Sequence, residues 1–171
     1  MRSFCVAILL ACCLASPAAA GEGFRQAAGP VVKVLDGCRQ DLKKIENRIA
    51  VSMDSNLAPP QQFTLHELVF FCRTGALELH DIVDVFLMQT TPGTGKSFHA
   101  QKRRELAKRA SFGLWSMAKR AEYMRMEAKG PYADPEHWDR VRGYALEMEK
   151  VFQRARKGLK RLQAVLKTTK D

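Results

Sequence analysis

Apolar residues recur at alternating intervals of three and four along the last part of the chain. The series consists of Trp138, Val141, Ala145, Met148, Phe152, Ala155, Leu159, Leu162 and Leu166. This spacing places one apolar stripe along one side of an α-helix, with the repeat of about 3.5 residues that is typical of coiled coils. The pattern therefore predicts a long amphipathic helix that buries one face against partner helices.

Three earlier segments follow the same rule, and none of them alternates as a strand would. Their apolar stripes run from Val31 to Ile49, from Leu65 to Phe86 and from Ala107 to Ala128. Turn-forming residues separate the segments, with prolines or glycines in each of the three connections. The sequence thus predicts four helices joined by short connections.

Capping chemistry gives the expected helix boundaries. Pro30 is predicted to open the first helix, and Thr64 with Glu67 forms a capping box that would start the second. Pro135 fits the first turn of the fourth helix, after Asp134 as its N-cap. Short connections favour antiparallel neighbours, so we expect an all-α, antiparallel up-down four-helix bundle with long helices.

The first twenty residues have the form of a Sec-type export signal. A positive start at Arg2 precedes an apolar run of about 12 residues, and the small residues before Gly21 fit cleavage after Ala20. This predicts a periplasmic or secreted protein whose single domain comprises residues 21–171. An alternative is lipidation at Cys12, which would tether the mature protein to a membrane.

Cleavage after Ala20 would leave two cysteines, Cys38 and Cys72, in an oxidising compartment. Both lie on apolar stripes, and a disulfide between the first two helices is the natural hypothesis. The loop between the two helices would have to double back, because Cys38 lies farther from this connection than Cys72 does. Two buried free thiols are the alternative.

Charge is unevenly distributed along the chain. Residues 21–95 carry 7 Lys and Arg against 9 Asp and Glu, whereas residues 96–171 carry 20 against 9. A positive field of this kind attracts anionic lipids, envelope polymers or acidic proteins, although solvated helix faces produce the same composition.

Two amphipathic stretches concentrate this charge and form the predicted anion-binding surface. Its residues are Lys102, Arg103, Arg104, Lys108, Arg109, Arg154, Arg156, Lys157, Lys160 and Arg161. Aromatic residues do not alternate with these cations in the sequence, and the export signal also disfavours a nucleic-acid partner. We therefore expect an anionic envelope component or an acidic protein as the partner.

Enzymatic chemistry finds little support in the sequence. The string from Pro92 to Ser97 resembles the Walker A core of P-loop ATPases, but Thr90 replaces the first glycine and no strand precedes it. No recognisable nucleophile with its base, metal-binding motif or haem-attachment motif is present, so we expect a non-enzymatic protein without a cofactor. The alternative is a carrier of a small ligand, metal or haem, in which His66, His80 or a methionine would face the bundle interior.

Overall fold

The computed structural model describes residues 17–53, 57–91, 95–130 and 135–169. These residues form four helices: α1 (Pro17–Ser52), α2 (Pro59–Gln89), α3 (Lys96–Glu127) and α4 (Pro135–Thr168). Within these ranges no residue is in a strand, which confirms the predicted all-α class and the number of helices. Among the helices described, none has a stretch long and apolar enough to cross a membrane.

The four helices form a bundle around one hydrophobic core. α1 packs against α2 and α4, and α3 also packs against α2 and α4. The predicted stripe of α4 is buried from Val141 to Leu162, and the stripe of α2 is buried from Leu65 to Phe86. Val34 is the exception in α1, because it is 43% exposed while Val32 is buried in its place.

Two glycines set the closest approaches between the helices. A Cβ atom added at Gly75 of α2 would lie 2.8 Å from Cε1 of Phe152 of α4 and 3.2 Å from Cδ1 of Leu42. At Gly158 of α4, an added Cβ would lie 2.8 Å from Cδ2 of Leu35. The core is therefore packed directly against backbone at these positions.

The predicted start of α1 at Pro30 is wrong. α1 begins at Pro17, and Pro30 lies inside it. An internal proline removes one helical hydrogen bond and costs about 3 kcal/mol. Phe24, Ala28 and Val32 are all buried around this point, and the burial of this face offsets that cost.

The predicted capping box at Thr64 is also wrong, because the N-cap of α2 is Ala58, six residues earlier. Pro59 occupies the first helical position, and the backbone N–H of Ala58 donates to Oε1 of Gln61 across 2.9 Å. Thr64 lies within the helix, where its hydroxyl donates to the carbonyl of Pro60. The proline at N1 is the signal that determines the start of α2. It fixes a helical φ, and the N–H that proline lacks would be unpaired at this position.

The start of α4 at Pro135 is confirmed. Several other expectations fall outside the described residues: most of the export signal (residues 1–16), residues 92–94 of the Walker-like string, and Asp134. Gly95 is the N-cap of α3, so the end of that string lies at a helix start.

Candidate anion-binding surface

The two predicted basic stretches lie at the same end of the bundle. Nη2 of Arg103 in α3 donates to the backbone carbonyl of Leu166 in α4 across 3.4 Å. Nearer the middle, Nε2 of Gln163 donates to Oγ of Ser111 across 2.9 Å. The first half of α3 therefore runs beside the second half of α4. The positive charges of the two stretches lie on the same end of the bundle.

Some of the predicted anion-binding residues are neutralised within the protein. Lys102 pairs with Glu105 at 2.9 Å. Arg109 pairs with Glu105 at 3.0 Å and with Asp81 of α2 at 2.6 Å. Hydrogen bonds from Lys102 and Arg109 lower the pKa of Glu105, which keeps this carboxylate ionised.

Arg154 and Arg103 also have intramolecular roles. Arg154 of α4 pairs through Nη2 with Asp41 of α1, and its Nε donates to Sγ of Cys38 across 3.1 Å. These hydrogen bonds raise the pKa of Arg154. The guanidinium of Arg103 lies over the ring of Phe24, 5.1 Å from its centroid, and so joins α3 to α1.

The remaining predicted cations form the group that we call the open basic cluster. Its members are Arg104, Lys108, Arg156, Lys157, Lys160 and Arg161. Within the described part of the chain none of them has an acidic partner within ion-pairing distance. All are exposed except Arg156, which is half-buried and whose Nε is buried without a hydrogen-bond partner.

The composition of α4 explains why this cluster is not neutralised. Residues 150–167 contain seven Lys and Arg and no Asp or Glu. The contact between Gly113 of α3 and Leu159 of α4 places Lys160 at the height of Gly113 along the bundle. α3 offers no carboxylate between Glu105 and Glu122, so neither helix supplies a counter-ion at this height.

An exposed aromatic pair lies on α3 in line with part of the cluster. Arg104, Lys108, Phe112, Trp115 and Lys119 follow one another at intervals of four, four, three and four residues, so they share one helix face. Phe112 and Trp115 are 58% and 60% exposed, with ring centroids 5.9 Å apart. Two aromatic rings therefore lie between cations along this face, although the basic stretch itself contains no aromatic residue.

α2 continues the exposed apolar surface next to α3. Phe63, Phe70 and Leu77 are spaced by seven residues and are between 56% and 66% exposed. The rings of Phe70 and Phe71 meet edge-on at 5.8 Å, and Phe71 lies 4.8 Å from the ring of Tyr123 in α3. We group six of the exposed apolar side chains of the two helices as the aromatic face. It comprises Phe63, Phe70, Leu77, Phe112, Trp115 and Met126.

The aromatic face also contains a shallow groove of about 410 Å³ between α2 and α3. Phe71, Trp115, Tyr123 and Met126 supply its apolar lining. The apolar stripes in the sequence predict the buried faces of the helices and do not predict this surface. The signal lay in the large apolar residues between those stripes, at the positions that face away from the core.

The expected disulfide between Cys38 and Cys72 is not formed, because both cysteines are free and buried. Nη2 of Arg73 pairs with Oε1 of Glu46 at 2.9 Å, which places Cys72 near the height of Glu46 on α1. Cys38 lies about 12 Å from that height along the helix axis. A disulfide requires Cα atoms within about 7 Å, so the different heights of the two cysteines explain why no disulfide forms.

The histidines required by a carrier lie at the surface. His66 is exposed, and Nε2 of His80 lies 3.4 Å from Oδ2 of Asp84 one turn further along α2. The seam methionines Met117, Met124 and Met148 are fully buried core residues. Over the described ranges, no group of three His, Cys, Asp or Glu side chains is arranged to hold a metal ion.

Comparisons with known proteins assign no family to the chain. No family model, curated protein or solved structure matches the chain.

Proposed function

We propose that this protein is exported to the periplasm or secreted, and that it acts there by binding an anionic envelope component or an acidic protein. The open basic cluster would be the contact surface. Binding, rather than catalysis, is the function that an open surface of uncompensated cations supports best.

The observation that carries the proposal is the difference between paired and unpaired cations. Lys102, Arg109 and Arg154 each have a carboxylate partner inside the protein. Lys157, Lys160 and Arg161 have no carboxylate partner among the described residues, and all three are exposed. They lie in residues 150–167 of α4, which contain no Asp or Glu. An external anion can therefore meet these charges without competing with an internal partner.

We further propose the antiparallel up-down arrangement for the bundle, with residues 21–171 as one domain. The contacts between α3 and α4 support it, because Arg125 pairs with Glu149 at one end while Arg103 reaches Leu166 at the other. On the opposite side, Arg48 pairs with Glu147 and Arg154 with Asp41. One continuous core with residues from all four helices supports the single domain.

Export is tested by the mass of the mature protein from its native envelope fraction. We expect a chain that begins at Gly21. Phe24 is the first buried residue described, so cleavage after Ala20 would leave the described core of α1 complete. A lipid increment on Cys12 would replace the free protein with a tethered one, and a mass that includes Met1 would contradict export.

Binding is tested with fluorescent polyglutamate as a simple acidic polymer. The protein is expressed from its full sequence, and the association constant is measured against salt concentration. We expect affinity to fall steeply with salt, because attraction between exposed charges is screened within about 10 Å at 0.1 M ionic strength. The combined variant Lys157→Gln, Lys160→Gln, Arg161→Gln should bind at least about tenfold more weakly at low salt.

A matched variant separates the position of the charges from their number. Arg25, Lys33 and Lys43 are exposed basic residues of α1. Their combined change to Gln removes the same charge, but we expect a much smaller loss of affinity. Equal losses in the two variants would indicate only a general positive charge and would contradict the proposed surface.

A further inference from the structure

We propose that α3 docks lengthwise on the surface of an anionic phospholipid bilayer, with Phe112 and Trp115 at the headgroup level and Arg104 and Lys108 against the lipid phosphates. The inference rests on the proposed function and names its partner class. It adds the aromatic face to the surface that makes contact.

The apolar part of the argument is the exposure of the two rings. Phe112 and Trp115 are more than half exposed, so neither ring lies in the core. The two rings lie next to each other. Phe70 and Leu77 of α2 extend the same apolar surface, at 61% and 56% exposure. Trp favours the boundary between headgroups and acyl chains, because its ring is apolar and its N–H can reach water, and Phe is typical of the apolar face of interfacial helices.

The charge part of the argument selects an anionic partner. Lys108 and Arg104 lie one and two turns before Phe112 on the same helix face, and neither has an acidic partner in the described ranges. Lys119 follows the rings by one turn and pairs with exposed Glu122 at 3.0 Å. Cations at both ends of an aromatic segment match the pattern of helices that lie in the interface of anionic bilayers.

The neighbouring helix adds further positive charge at the same height. Lys160 of α4 lies at the height of Gly113. Along α3 this height falls between Lys108 and Lys119. Arg104 also lines a shallow groove of about 220 Å³ beside Leu166 of α4. A flat anionic surface that contacts α3 would therefore also face cations of α4.

The experiment uses vesicles of phosphatidylcholine and phosphatidylglycerol in equal parts, with pure phosphatidylcholine vesicles as the neutral probe. The protein carries Trp138→Phe, so that Trp115 is its only tryptophan. We expect binding to the anionic vesicles alone, together with a blue shift of Trp115 emission as the ring leaves water. Salt should release the protein.

Two variants with a common control test the residues. The change Phe112→Ser with Trp115→Ser should weaken vesicle binding by about tenfold or more, because two exposed rings no longer enter the interface. The control is Val51→Ser with Leu146→Ser, which removes two exposed apolar side chains from α1 and α4. We expect the control to bind as the parent does.

Each contrary result has a separate meaning. Vesicle binding could depend on salt but show no blue shift and stay unchanged in the Phe112 and Trp115 variant. This result would overturn the docking of α3, but it would not contradict the proposed basic surface. Binding to polyglutamate but not to vesicles would overturn it in favour of an acidic protein. A dimer that dissociates in the same variant would show that a second copy covers the aromatic face. Binding to neither probe would overturn the proposed function as well.

Discussion

Arg154 donates a hydrogen bond from Nε to Sγ of Cys38 across 3.1 Å, and the same guanidinium pairs with Asp41. This one contact accounts for two departures from expectation. The thiol of Cys38 lies at the boundary of α1 with α4, away from the height of Cys72 on α2. The Arg154 guanidinium is engaged by Asp41 and Cys38 of α1, so it is not among the cations available to a partner.

We predict that both thiols stay free, including under the oxidising conditions that the proposed export would bring. Cys38 and Cys72 lie too far apart along the helices to bond, and both are buried. The intact mass should be unchanged by reductant, and both cysteines should react with iodoacetamide in denaturant but only slowly in the folded state. A mass two hydrogens lighter without reductant would contradict the structure.

Alkaline pH should destabilise the fold through Cys72. Burial raises the pKa of this thiol to about 12, whereas an exposed thiol in the unfolded chain titrates near 8.5. Between these values the unfolded state loses a proton that the folded state keeps, so the free energy of unfolding falls with rising pH by up to about 1.4 kcal/mol per unit. Below the lower value the contribution is fully retained.

Urea unfolding of the parent and of Cys72→Ala at a series of pH values measures this effect. The variant should lose stability less steeply above the pKa of an exposed thiol. Cys38→Ala is the matched control, since the hydrogen bond from Arg154 opposes the rise that burial causes in the pKa of Cys38. Parallel slopes for the parent and Cys72→Ala would show that other groups control the alkaline limb.

The four helices were predictable because burial of one face imposes a spacing that the sequence displays directly. Leu65 to Phe86 and Val141 to Leu162 show this spacing without interruption. Local signals were less informative, since Pro30 reads as a helix start yet lies inside α1. Tertiary burial of Phe24 outweighs the local preference, and no capping rule contains that term.

The candidate site was predictable only as a total of charges. The sequence identified Lys102 and Lys160 alike, but it does not show that Glu105 pairs with the first and that no described carboxylate reaches the second. Such pairing depends on which helices meet and at what height. The aromatic face was invisible for the same reason, because exposure of Trp115 follows from how α3 is rotated against α2 and α4.

Substitution of Gly75 by alanine should destabilise the bundle. The added Cβ would lie 2.8 Å from the Phe152 ring, and Leu42 blocks the neighbouring space at 3.2 Å. Overpacking of this kind costs about 1–3 kcal/mol, more than the gain in helix propensity. The control is Gly143→Ala in α4, where nothing lies within 4 Å and a gain of about 0.5–1 kcal/mol is expected. Thermal unfolding should move the two midpoints in opposite directions, and a rise for Gly75→Ala would contradict the packing.

Replacement of Pro30 by alanine should stabilise the protein by about 1–3 kcal/mol. Pro30 is exposed inside α1, where it supplies no N–H for the helix and leaves one turn without its hydrogen bond. Pro59→Ala is the control, because a proline at the first helical position fits the helix and replaces no bonded N–H. Chemical denaturation should therefore distinguish the two prolines, and no gain for Pro30→Ala would argue that α1 is interrupted there in solution.

The carboxylate of Glu78 should contribute to stability far more than an exposed carboxylate of the same helix pair. Its Oε1 accepts hydrogen bonds from Arg120 at 2.6 Å and Ser116 at 3.2 Å, and both ion-pair side chains are largely buried, at 23% and 13% exposure. Glu78→Ala would leave the Arg120 guanidinium without its counter-ion in a poorly solvated position, at a cost of about 2–4 kcal/mol.

Glu122 provides the comparison for Glu78, because it pairs with Lys119 at 3.0 Å with both side chains about 60% exposed. Glu122→Ala should change the free energy of unfolding by less than about 0.5 kcal/mol, as water replaces the carboxylate at the surface. Urea unfolding of both variants, repeated with Arg120→Ala and with the double change of Glu78 and Arg120, isolates the pair energy. Additive losses in that cycle would show that the pair between α2 and α3 does not form in solution.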